Sequence, residues 1–102
     1  FNLAGFTYYA GIEVFSELKV GALLTMKAEP ENKYDPSAVA IYYGDKKLGY
    51  VPKDDNLLLF KFLELGHTDL FEVRINRLSP EKHPEGQVGI VVRINEKKQE
   101  GD

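Results

Sequence analysis

Residues 31–43, ENKYDPSAVAIYY, set an aromatic ring directly beside a carboxylate at a bend in the chain. Asn32, Asp35, Pro36 and Ser37 already supply turn chemistry in excess, so a loop has no need of Tyr34. A tyrosine in such a place either covers a core or offers its ring and hydroxyl to a ligand. Alternatively Asp35 fixes the loop through an Asx-type turn into Pro36, with Tyr34 covering the end of a barrel. The residues alone leave both readings open.

Other reactive groups give little chemistry. His67 and His83 are the two histidines, and neither stands at a metal-ligand spacing. The paired carboxylates Asp54–Asp55 precede an apolar run, where helix capping explains them. Ser16, Ser37 and Ser79 lack the glycine context of a nucleophile elbow. Gly49-Tyr50-Val51-Pro52 lacks the clustered glycines and Lys-Ser/Thr of a phosphate loop. The chain is expected to be no enzyme and to carry no metal or cofactor. Its six tyrosines, six phenylalanines and no tryptophan are the stronger signal. The tyrosines gather at Tyr8–Tyr9, Tyr34, Tyr42–Tyr43 and Tyr50, and within each doublet strand alternation sends one ring outward. Outward rings can stack on bases, although tyrosines also favour half-buried strand positions for packing reasons alone.

The elements that must hold these residues are mostly strands. Residues 3–10 and 21–28 are apolar enough for strands, and in the second Ala22, Leu24, Met26 and Ala28 share one face. The intervening IEVFSELKV fits a helical turn or an irregular crossing. Residues 38–43 and 47–51 form a hairpin closed around GDK. A helix follows over residues 54–65, with Asp54 or Asp55 as N-cap and Gly66 as its stop; apolar residues nearly encircle it, which predicts a well-buried helix. Phe71, Val73 and Ile75 alternate with polar residues, and Val88, Ile90, Val92 and Ile94 share another face. Residues 79–86 read as an exposed loop, and the tail after Ile94 as a frayed polar end. The expected class is mainly β: a small antiparallel OB-like barrel of five to six strands with one main helix.

Bulk properties fit that class. The 102 residues suffice for a single domain, with a folded core at about residues 3–95. The absence of cysteine removes disulfides and thiolate sites and allows the expected cytoplasmic location. No run reaches the roughly 18 apolar residues of a membrane span. A net charge of −3 argues against a protein that coats nucleic acid by charge alone.

Two linked motifs carry a family resemblance. Glu29-Pro30-x-Asn32-x-Tyr34-Asp35-x-x-Ala38-Val39, followed by Lys47-Leu48-Gly49-Tyr50-Val51-Pro52-Lys53 and a helix, resembles the HIRAN domain. The similarity runs from about Ala4 to Ile94. The family occurs at the N-termini of some DNA-repair helicases and ubiquitin ligases, and as small stand-alone bacterial and phage proteins. Its fold is a modified OB-type barrel.

The resemblance implies a module that recognises the free 3′-hydroxyl end of single-stranded DNA, alone or joined to a helicase or another DNA-processing enzyme. It implies that Tyr34 stacks on a terminal base and Asp35 accepts from the 3′-hydroxyl. Tyr8 would contact the same nucleotides, Lys53 a phosphate, and Asn32 and Tyr50 would support the loop. Thr7 stands where helicase-linked DNA-binding members carry an arginine, which implies one phosphate contact fewer. The alternative function is a non-catalytic scaffold or protein–protein interaction domain.

Overall fold

The computed structural model describes residues 1–6, 14–79 and 87–95, and period-two alternation is clearest in its first strand. Strand β1 (Leu23–Glu29) turns Leu24 and Met26 inward and leaves Thr25 and Lys27 in solvent. Strands β2 (Ala38–Tyr43) and β3 (Lys46–Tyr50) form the expected hairpin. Tyr43 pairs with Lys46, so Gly44 and Asp45 make the turn; Gly44 has φ 61° and no described non-glycine residue has positive φ, which fits a type II′ turn. Strands β4 (Phe71–Leu78) and β5 (Val88–Ile94) pair antiparallel, with Val73, Ile75, Val88 and Ile90 buried. Ile94 does not continue that buried face: it is exposed, at the end of β5 beyond the core.

The strands make one antiparallel sheet in the order β3-β2-β1-β4-β5. The expected closed barrel is not formed among the described residues, since β3 and β5 do not pair with each other. Instead the N-terminal segment lies between these two edges. Ala4 and Tyr50 exchange backbone hydrogen bonds of 2.9 and 2.8 Å, while Leu3 N donates to Val88 O and Ile90 N to Phe1 O. These contacts are isolated bridges, not a sixth strand. Gly5 explains why: at φ 73° it turns the chain out of the extended state immediately after Ala4. The strand expected over residues 3–10 is therefore absent from its described part, and residues 7–10 lie outside the description. So do the loop at residues 80–86 and the tail at 96–102.

Ahead of β1, Val14 and Phe15 are helical, and the chain turns after them as Glu17 N donates to Val14 O and Leu18 N to Phe15 O. Phe6, Val14 and Leu18 join Leu3, Val39, Ile41 and Leu48 in the core, and Phe6 meets Phe15 edge to face at 5.9 Å. Burial of each such side chain stabilises the fold by about 1.5–3 kcal/mol.

Helix α1 spans Lys53–Glu64. Pro52, not Asp54 or Asp55, is its N-cap, and no side chain caps it. Pro52 enters with φ −56° and ψ 146° and accepts from Asp55 N through its carbonyl, so the aspartates fall in the first turn. There they face the positive end of the helix dipole. The helix ends as expected at Gly66: at φ 90°, it donates to Leu63 O while His67 N donates to Phe62 O, a Schellman pair. The helix is less buried than its composition predicts. Asn56, Leu59, Phe60 and Leu63 form its inward stripe at i, i+3, i+4 and i+7, which leaves Leu57 and Leu58 exposed, as is Leu65 just beyond the last turn. No described helix is long and apolar enough to cross a membrane.

Gly49 tests how tightly the N-terminal segment is seated. A Cβ there would lie 2.3 Å from the Ala4 carbonyl oxygen, a backbone atom that cannot swing aside. Gly49→Ala is expected to destabilise the protein by about 1–3 kcal/mol in urea denaturation. Hydrogen exchange of the Ala4 and Tyr50 amides should quicken ahead of those in β4 and β5. Unchanged stability and unchanged Ala4 exchange would contradict this packing.

Candidate functional site

The loop from β1 to β2 is built around one side chain. Asn32 N donates to Glu29 O at 3.0 Å to close a turn. The Asn32 carboxamide oxygen then accepts from Tyr34 N at 2.8 Å and Asp35 N at 3.0 Å. This Asx geometry directs the Tyr34 ring outward, where the residue is 88% exposed. Asp35 repeats the device one step on: its Oδ1 accepts from Ser37 N at 2.9 Å and its carbonyl from Ala38 N at 3.1 Å, leading the chain into β2.

The other end of Asn32 is anchored on the outer face of the sheet. Its Nδ2 donates to Glu29 Oε1 at 3.1 Å. Tyr50 Oη donates to the same oxygen at 2.7 Å, and Lys47 Nζ bonds Glu29 Oε2 at 2.7 Å and Tyr50 Oη at 3.1 Å. Burial alone would raise the Glu29 carboxyl, but hydrogen bonds from Lys47, Tyr50 and Asn32, with the Lys47 charge, outweigh it and hold the pKa below the ordinary 4.5. Burial likewise opposes the charge on Lys47, and its bonds to Glu29 and Tyr50 reverse that effect and raise its pKa. Both groups are therefore ionised at neutral pH.

A cavity of about 260 Å³ opens beside this loop. Asn32, Tyr34, Asp35, Tyr50 and Lys53 all line it, with Ala4, Gly5, Ala38 and Val51 supplying apolar wall. Five of the six residues singled out in the sequence are thus together at one opening. The sixth, Tyr8, lies outside the described residues, as does Thr7.

Asn56 is a component that sequence reasoning missed. It is 3% exposed and donates from Nδ2 to Asp35 Oδ2 at 2.7 Å, tying the first turn of α1 to the loop. Its signal was available: a polar residue on the inward stripe of an otherwise apolar helix has to bond something. With Ser37 N on one oxygen and Asn56 on the other, the Asp35 carboxylate has a fixed orientation. A carboxylate has about four acceptor positions, so capacity remains for a donor from outside. Asp35 thus makes the loop-fixing Asx bond that a structural reading expects and spends its second oxygen on Asn56, whereas the Tyr34 ring is open and covers no core.

Chemically, this opening combines an exposed ring, a hydrogen-bond acceptor of negative charge, apolar wall and one cation. Lys53 is exposed and makes no ion pair among the described residues. A hydroxyl or amine satisfies Asp35, whereas an anion at the same spot is repelled and finds its partner at Lys53. The described residues contain no group of three or more metal-ligating side chains. His67 is exposed at the far end of α1, where it meets Phe62 edge to face at 6.0 Å.

Compared with known proteins, the chain matches the family model of the HIRAN domain over residues 1–96. No curated protein and no solved structure matches it.

The anchor beneath the loop makes a pH prediction. Because the Glu29 pKa is depressed on folding, its stabilising contribution is complete above the ordinary carboxyl value near 4.5 and is lost as pH falls through the lower folded value. Glu29→Gln should therefore be less stable than wild type at pH 7, and the gap should narrow as pH is lowered below about 4.5. Urea midpoints of both proteins across pH 3–7 measure this; a gap that widens in acid would reverse the assigned sign.

Proposed function

The chain belongs to the HIRAN domain family, and on that premise we propose that its cavity binds the free 3′-hydroxyl end of single-stranded DNA. The family suggests a nucleic-acid-binding module. The observation that carries the finer reading is an oriented carboxylate beside a tyrosine ring that is 88% exposed, with Lys53 at the same opening.

Each part has a physical role. Tyr34 is the platform on which the terminal base stacks, a contact indifferent to base identity. Asp35 accepts from the 3′-hydroxyl. A continuous strand carries a phosphate at that oxygen, which would bring two negative charges together, so the acid distinguishes an end from an interior. Lys53 meets the phosphate on the 5′ side of the terminal nucleoside. The small cavity admits one nucleoside rather than a length of duplex, which would explain how a protein of charge −3 binds DNA through local complementarity rather than by its overall field.

Two oligonucleotides identical but for a 3′-hydroxyl or a 3′-phosphate test the reading. Wild type should prefer the hydroxyl. Asp35→Asn removes the charge and should lower affinity for the hydroxyl form by about 1.5–3 kcal/mol while the phosphate form loses little or gains. Tyr34→Ala should weaken both forms alike, by about 1–3 kcal/mol. Equal wild-type affinity for the two, or an unchanged ratio in Asp35→Asn, removes the end-reading role even if DNA is bound.

A further inference from the structure

The second tyrosine doublet has no part in the cavity, yet its two rings are treated differently by the fold. Tyr43 packs against the core. Tyr42 is half-buried and faces the other way, on the outer side of the sheet. Register shows what surrounds it. Tyr42 pairs with Thr25 of β1 and Lys47 of β3, while the neighbouring row is Lys27, Ala40 and Tyr50. Cross-strand partners share a face, so Lys27, Tyr42, Lys47 and Tyr50 all lie on the outer side of the β1–β3 half of the sheet.

These residues continue the cavity rather than standing apart from it. Tyr50 lines the cavity, and the Lys47 ammonium lies 5.1 Å from the Tyr50 ring centre and 6.0 Å from that of Tyr42. The Lys47 charge is held by Glu29, so it braces the two rings. Lys27, one row away, is exposed and makes no ion pair among the described residues. Diagonal neighbours on adjacent strands stand about 7–8 Å apart, close to the spacing of successive bases in an extended single strand.

We propose that the outer face of β1–β3 is the track for the nucleotides that precede the terminal one, with Tyr42 as a second stacking platform and Lys27 as its phosphate contact. The occupant is the same strand whose 3′ end fills the cavity, so the proposal rests on that reading. An isolated ring on a sheet face would have no reason to prefer DNA. Here the ring is one step from a site that holds the strand's end, and an unneutralised cation stands beside it.

Binding of 3′-hydroxyl oligothymidylates of two to eight nucleotides by the full chain tests this track. Wild-type affinity should rise with length and level off near four. Tyr42→Ala should lower affinity for the hexamer about fivefold or more while changing the dimer less than twofold, and Tyr42→Phe should restore it. Lys27→Gln should reduce the salt dependence of hexamer binding by about 0.7 in log–log slope and leave that of the dimer unchanged. Wild-type affinity that is flat beyond the dimer overturns the track and leaves end recognition standing. Tyr42→Ala weakening every length equally also overturns it, since that would be an effect on the cavity through Lys47. If wild type binds none of the oligonucleotides, end recognition and track fall together.

Discussion

Everything at the opening depends on the carboxamide of Asn32. Its oxygen takes two backbone amides, which fixes where the Tyr34 ring and the Asp35 carboxylate leave the chain. Its nitrogen is held by Glu29, and Glu29 is held by Tyr50 and Lys47 on a neighbouring hairpin. A loop that must present an aromatic ring to solvent cannot stabilise itself by burying that ring, so its order has to come from polar bonds. Asparagine is suited to this because it offers acceptor and donor at once; aspartate in its place would set a second negative charge against Glu29.

A similar logic runs through Asp35. A lone exposed carboxylate rotates freely and pays an entropic cost to bind anything. Ser37 on one side and Asn56 on the other remove that cost in advance. Asn56 belongs to α1, whose position follows from Leu59, Phe60 and Leu63 packing on the core. The orientation of one oxygen atom at the surface is thus inherited from hydrophobic packing several ångströms beneath it.

The strands were readable because their apolar alternation directly reports which face is buried, as in Leu24–Met26 and Val73–Ile75. The stop of α1 was equally plain, since Gly66 takes a conformation that other residues avoid. Its start was not, because Pro52 caps through its backbone and the nearby aspartates mimic a side-chain cap. Burial of the helix was overestimated because leucines off the inward stripe, Leu57 and Leu58, look the same in sequence as those on it. The loop residues of the site were visible as an excess over turn chemistry, with the family resemblance linking them to Tyr50 and Lys53. Asn56 stayed hidden because its partner lies 21 positions away. The open sheet escaped prediction because strand count alone does not say whether edges meet, and Gly5 ends the N-terminal pairing after two isolated bridges.

The walls of the cavity come from residues 4–5, 32, 34–35, 38, 50–51 and 53, stretches that only the finished fold brings together. The β2–β3 hairpin and the loop before it are local and can assemble early, whereas seating Ala4 against Tyr50 closes a span of more than forty residues and carries the larger entropic cost. The lining of the opening is therefore expected to be among the last features the chain completes. A molecule that has formed its sheet without docking residues 1–5 has the tyrosine and the acid but no back wall behind them. A group filling the opening would consequently act as a reversible cross-link between distant parts of the chain.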